Sequence, residues 1–176
     1  MEVRFLAPDL DALDQLKTEA LCLPVCRDER PLRGAQGLVD WRLCGKLSKL
    51  LVSDWICGEA EEVTLLPARP RLGAERLLLF GAGPADSLDE ARYQGVVERM
   101  IGVLEGLKVR SAALALPGRA LGRVDPALAI DHFLQLAANR ADRLDEVTVL
   151  DSVDAQRAMQ PLVERARRRA MADLEG

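Results

Sequence analysis

Arg76-Leu77-Leu78-Leu79-Phe80-Gly81-Ala82-Gly83-Pro84, with the segment that runs on to Leu107, is the stretch that decides the fold. Leu77 to Phe80 predicts a short apolar strand, bounded by Arg76 and by the glycines. Ser87, with Glu90 three residues on, predicts a capping box at the start of a helix. That helix carries Tyr93, Val97, Met100, Leu104 and Leu107 on one face. A glycine turn between a strand and a helix is a place to hold an anion, because free N–H groups and the helix dipole both favour negative charge.

The details of the turn weigh against that use. A dinucleotide fingerprint needs glycines at its first, third and sixth positions. Gly81 and Gly83 satisfy the first two, but the sixth position is Asp86, whose carboxylate repels a pyrophosphate. Pro84 removes one N–H donor, and no Lys-Ser or Lys-Thr pair follows to make a P-loop. The Leu116-Pro117-Gly118-Arg119 turn could set Arg119 beside the first turn, against an anion or a surface carboxylate. Gly81, Gly83, Gly118 and Arg119 are therefore candidates for holding an anion or nucleotide, with a structural turn as the competing reading.

Outward from this unit, strands are expected at Val3–Ala7, Ala20–Cys26, Glu62–Pro67 and Glu146–Asp151. The link Ala68–Glu75 is short enough to fold Glu62–Pro67 and Arg76–Gly81 into an antiparallel hairpin. Ser111–Pro117 is a continuous apolar run, the pattern of a strand buried on both faces. One helix is expected from Gln36 to about Val52. Another opens at Asp125-Pro126 and buries Ile130, Phe133, Leu134 and Ala137. The last, over 152–174, is capped by Ser152, and its stripe of Ala155, Met159, Leu162, Val163, Ala166 and Ala170 faces the core or a partner. Strands early, then helix and strand in alternation, predict one α/β domain over 1–176, a mixed sheet with helices on both faces.

Composition fits an ordinary globular protein. Of 176 residues 49% are hydrophobic, 30% charged and only 3% aromatic, so the core must be built from Leu, Val and Ala. A net charge of -4 argues against a surface dedicated to nucleic acid. Absence of a membrane-length apolar run, and a Met1-Glu2-Val3-Arg4 start unlike a signal peptide, make a cytoplasmic protein the expectation. Cys22, Cys26, Cys44 and Cys57 form no C-x-x-C pair, so buried reduced thiols are expected and no metal site.

His132 is the single histidine, with no nucleophile motif around it, and reads as a semi-buried packing residue. Glu59, Glu61 and Glu62, and Asp142, Asp145 and Glu146, read as solvated charge in polar loops. Arg157, Arg165 and Arg168 share the face of the last helix opposite its apolar stripe. They are candidate partner-binding residues, set against the generic role of cations near a helix C-terminus.

Several segments together resemble one family. Gly45-Lys46-Leu47-Ser48-Lys49-Leu50-Leu51 is similar to the Gly-x-Leu-x-x-Leu-Leu helix in the N-terminal domain of leucyl aminopeptidases, two-metal cytosolic exopeptidases. Trp55–Glu62 resembles the loop that follows it, and Thr64-Leu65-Leu66-Pro67 with Glu75–Gly83 the hairpin and Gly-x-Gly turn. Ala113-Leu114-Ala115-Leu116-Pro117 fits the next strand. The resemblance implies a macro-domain-like, three-layer fold and a role in hexamer assembly, with DNA contact in some bacterial members. It implies no catalytic residue here: the family's metal ligands and its Asn-Thr-Asp-Ala-Glu-Gly-Arg signature belong to a C-terminal domain with no counterpart in this sequence.

A stand-alone, non-catalytic domain with no cofactor is therefore expected. Its partner would be another copy of itself or a separate aminopeptidase subunit. A macro-domain-like binder of a nucleotide or ADP-ribose is the alternative, and a DNA-contacting module through the arginine face a third.

Overall fold

A computed structural model describes residues 1–140 and 144–175. The elements run β1 (Glu2–Leu6), α1 (Leu10–Gln15), β2 (Ala20–Val25), α2 (Gly34–Arg42), α3 (Lys46–Val52), β3 (Val63–Pro67) and β4 (Arg76–Gly81). They continue with α4 (Glu90–Gly106), β5 (Ser111–Leu114), α5 (Pro126–Arg140), β6 (Glu146–Leu150) and α6 (Val153–Glu175). The described strands form one six-stranded sheet in the order β1-β6-β5-β2-β4-β3. All neighbours are parallel except β3, which returns antiparallel against β4 as the hairpin pattern predicts.

Alternation of side chains along the central strands sends residues into two cores. Cys22, Leu78, Phe80, Leu114, Val147 and Val149 meet α4, α5 and α6 on one face. Leu21, Leu23, Leu77, Leu79 and Ala113 meet α1, α2 and α3 on the other. Every residue of β2 is buried, as a parallel strand covered on both faces requires. The α/β, three-layer architecture expected from the sequence is the one observed.

Local chemistry moved three boundaries. The single helix expected over Gln36–Val52 is two, because Cys44 (φ 58°) and Gly45 (φ 75°) turn left-handed between them. Gly45 N–H donates to Asp40 O at 2.8 Å to close α2, while the Asp40 carboxylate accepts from Ser48 N–H at 3.0 Å to cap α3. The apolar period ran through the break because Val39 and Leu47 are both fully buried in one core.

At α4 the cap is Asp89 and not Ser87. The Asp89 Oδ1 accepts from Arg92 N–H at 2.9 Å, and its charge suits a helix N-terminus better than a hydroxyl does. Ser87 ends a short 3-10 turn, its hydroxyl donating to Pro84 O at 3.0 Å. The third change is at β5, which stops at Leu114, although the chain stays buried to Gly118.

The other caps stand where the sequence puts them. Asp125 accepts from Ala127 and Leu128 N–H, and Ser152 from Ala155 N–H. Among the described residues of α6 only Ala155 and Met159 are fully buried; Leu162, Val163 and Ala166 are half-buried and Ala170 is exposed.

Candidate functional site

Both glycine turns lie at the C-terminal ends of parallel strands, the end of an open α/β sheet where ligands are usually held. The turn after β4 has little left to offer one. Gly81 N–H donates to Glu62 O at 2.8 Å, Ala82 N–H to Val25 O at 3.0 Å and Gly83 N–H to Gly58 O at 2.9 Å. Pro84 has no N–H, and Ala85 N–H donates to the Asp28 carboxylate at 2.8 Å. That bond holds the Asp28 carboxyl below the usual Asp range. The position an incoming anion would take is held by the protein's own carboxylate.

Gly81 has a steric reason to be glycine. A Cβ there would sit 1.8 Å from the Glu59 carbonyl oxygen, so the 58–59 loop rests directly on the strand. Gly83 and Gly118 adopt φ of 72° and 71°, conformations that glycine takes without strain. A Cβ on Gly118 would come 2.5 Å from Leu88 Cδ2, which places the second turn against the first.

Arg119 faces inward. Its Nε donates to Asp151 Oδ2 at 2.8 Å and its Nη1 to Val124 O at 2.5 Å, with the two side chains of the ion pair 13% and 11% exposed. Asp151 Oδ1 also accepts from Ser152 N–H at 2.8 Å. The arginine thus joins the loop after β5 to the end of β6 and the start of α6. Arg123 and Asp86 form a second ion pair between the two turns. The structure brings all four candidates to one end of the sheet and gives each a structural partner or steric role.

The same end holds other buried polar groups. Glu29 is buried and accepts from Arg33 N–H at 3.1 Å; burial pushes its carboxyl up. Burial, reinforced by Glu29 and Asp28, pushes the neighbouring Cys26 thiol up to about 12, and burial alone raises Cys22. Neither is a nucleophile at neutral pH. Tyr93 donates to Ala129 O at 2.6 Å, and burial raises its phenol. His132 packs edge-on to Tyr93 at 6.1 Å, with Gln94 Nε2 3.3 Å from its Nδ1 and Glu90 3.4 Å from its Nε2. It is a packing residue, as its surroundings in sequence suggest.

Among the described residues no group of three or more His, Cys, Asp or Glu could hold a metal ion. The Glu62 carboxylate, read as solvated, accepts from Cys57 and Gly58 N–H and shapes the loop beneath Gly81. Asp145 bonds Arg110 at 2.7 Å, Glu146 bonds Arg4 at 2.8 Å, and Asp142 lies outside the described residues. Arg157 pairs with Asp154 at 2.9 Å, and Arg165 and Arg168 are exposed on α6 beyond the buried Met159.

A cavity of about 780 Å³ opens at the opposite end of the sheet among Asp14, Lys17, Arg42, Arg69, Arg71 and Glu75. Arg42 pairs with Asp14 and Arg69 with Glu75, so two of its arginines are already matched by carboxylates. Nothing in the sequence marked it, because its residues come from four separate loops and helices.

Comparison with known proteins agrees with this architecture. Residues 23–147 match the cytosol aminopeptidase family, N-terminal domain. The chain is 35% identical over 103 residues to the cytosol aminopeptidase of Pseudomonas aeruginosa PAO1, covering 58% of this chain and 21% of that protein. It is 37% identical over 100 residues to a probable cytosol aminopeptidase of Stutzerimonas stutzeri, covering 57% and 20%. The match thus spans about a fifth of the length of these curated relatives.

Among solved structures, a tomato leucine aminopeptidase mutant superposes with a TM-score of 0.62 at 15% identity, over 95% of this chain and 36% of that one. An Oceanobacillus iheyensis macrodomain with ADP superposes at 0.71 and 11% identity, over 94% and 91%. Such low identities establish a shared fold and nothing finer. Fold, motif order and family match converge: the chain belongs to the cytosol aminopeptidase family, through its N-terminal domain.

Proposed function

We propose that this chain is an assembly or regulatory binding module that carries out no peptidase chemistry itself. It associates with copies of itself or with a separate aminopeptidase subunit, and it works in the cytoplasm as a single domain. The observation that carries the reading is the confinement of the family match to the N-terminal domain, about a fifth of the relatives' length. The closed turn after β4 supports it, since its N–H groups are spent on Glu62, Val25, Gly58 and Asp28. No helix among the described residues is long and apolar enough to cross a membrane.

The test is co-purification of the tagged chain with a full-length family aminopeptidase, light scattering of the chain alone, and an assay with leucine p-nitroanilide and added manganese or zinc. Association without hydrolysis is expected. Hydrolysis above a metal-free blank, or a chain that binds neither itself nor the enzyme, would overturn the reading.

A nucleotide or ADP-ribose site at Gly81, Gly83, Gly118 and Arg119 has the fold shared with a macrodomain solved with ADP in its favour. Calorimetry with ADP-ribose tests it, and no heat is expected. DNA contact through Arg157, Arg165 and Arg168 would show as affinity that falls steeply with salt.

A further inference from the structure

The cavity of about 780 Å³ at the N-terminal ends of the strands is walled by two stretches of chain that are tied to each other. One carries Lys17, Thr18 and Glu19 into β2, and the other is the 69–75 loop that leads into β4. Glu75 N–H donates to Thr18 O at 3.0 Å, and Gly73 N–H to Leu13 O at 3.4 Å. A Cβ on Gly73 would lie 2.4 Å from Leu16 O, so the loop rests directly on the end of α1. Glu19 N–H donates to Ser111 O at 3.2 Å, which fixes that wall to the start of β5. The walls are therefore preformed, as those of small-molecule sites usually are.

Charge on these walls is only partly matched. Asp14 accepts from Arg42 Nε at 2.7 Å, and Glu75 lies 3.6 Å from Arg69. The Lys17 side chain has no partner among the described residues. Arg71 meets no carboxylate there, and its Nη1 lies 3.2 Å from Cys44 Sγ. A thiol is a weak acceptor, so this guanidinium keeps most of its donors. Glu19 has no cation beside it, and its Oε1 accepts from Arg110 N–H at 3.2 Å. Two cations and one carboxylate thus line the cavity uncompensated.

We infer that this cavity holds a zwitterion of the α-amino-acid class, its carboxylate on Arg71 and Lys17 and its ammonium on Glu19. A guanidinium fork suits a carboxylate, which it can hold through two parallel bonds. Glu19 would repel a simple anion, and a phosphate dianion most, whereas an ammonium turns that repulsion into attraction. The end of α1 at this cavity is its C-terminus, the end that favours a cation. Lys17 and Glu19 are two positions apart, so their Cα atoms lie within about 7 Å, a span that one small molecule bridges. Pro70, Leu72 and the arginine stems offer apolar surface to its side chain. The site goes beyond the assembly reading and does not depend on it, since it lies at the other end of the sheet from the glycine turns.

Isothermal titration of the full chain with L-methionine, L-phenylalanine and L-glutamate, each beside its amide and its N-acetyl derivative, tests the inference. At least one free amino acid should bind. Its amide and its N-acetyl form should each bind about tenfold more weakly, having lost one charge-assisted contact. Arg71→Gln and Lys17→Gln should each weaken the free amino acid by about tenfold. Glu19→Gln should weaken it too and yet strengthen the N-acetyl form, a reversal that a merely structural Glu19 cannot give.

Far-UV circular dichroism checks the fold of each variant, and Lys49→Gln, exposed on α3, is the control that should leave binding unchanged. Absence of heat from all three amino acids overturns the inference. So does binding that Arg71→Gln and Lys17→Gln leave unaltered, or an N-acetyl form that binds as tightly as the free amino acid. Inorganic phosphate binding more tightly than any of the three also overturns it, in favour of a plain anion. Each of these outcomes leaves the assembly reading in place, which light scattering and co-purification decide separately.

Discussion

Replacing Gly81 with alanine separates a scaffold glycine from a ligand-binding one. The added Cβ would lie 1.8 Å from Glu59 O, where ordinary contact begins at 3.4 Å, so the loop must retreat by about 1.6 Å. Its neighbour Gly58 O accepts from Gly83 N–H at 2.9 Å, and Glu59 O itself accepts from Glu62 N–H at 3.1 Å. Overpacking costs about 1–3 kcal/mol, and each strained hydrogen bond adds about 1 kcal/mol. Together they predict a loss of about 3–5 kcal/mol, or a Tm lower by roughly 10–15 °C for a chain of this size.

Urea and thermal unfolding followed by circular dichroism measure both quantities. Gly102→Ala is the matched control: Gly102 is exposed within α4 with nothing inside 4 Å of its would-be Cβ. It should gain about 1 kcal/mol from helix propensity. A Gly81→Ala protein within about 0.5 kcal/mol of wild type would refute the steric argument and return Gly81 to the list of ligand contacts.

Other consequences follow from the same end of the sheet. Arg119→Ala should cost about 3 kcal/mol by stranding the buried Asp151 carboxylate, while the double variant Arg119→Met, Asp151→Leu should fall within about 1 kcal/mol of wild type in urea melts. The raised carboxyl of Glu29 keeps its proton in the folded state at pH values where the unfolded chain has lost it. Stability should therefore fall as pH rises from the ordinary Glu value to the raised one and level off above; Glu29→Gln should flatten that segment of a pH-resolved unfolding series. With Ellman's reagent at neutral pH, Cys44 and Cys57 should react in the native state, and Cys22 and Cys26 only after unfolding.

The sequence was most legible where burial alone decides structure. The apolar runs at Ala20–Val25 and Leu77–Phe80 could only be covered strands, and the Asp125 and Ser152 caps use local bonds that a linear reading can see. It was least legible where the deciding partner is distant in the chain. Asp28 fills the turn at Ala85, 57 positions away, and Arg119 reaches Asp151 across 32. No spacing rule announces such pairs. The Gly45 break was missed for another reason: Val39, Leu43, Leu47 and Leu51 keep helical spacing across it, and periodicity does not register one left-handed turn.

The central claim is that this family member acts by association and not by chemistry at its glycine turns. Sedimentation equilibrium of the full chain, alone and with ADP-ribose, tests it most directly. The account predicts a mass above that of one chain, rising with concentration, that the nucleotide does not alter. A monomer at every concentration whose stability rises with ADP-ribose would contradict it.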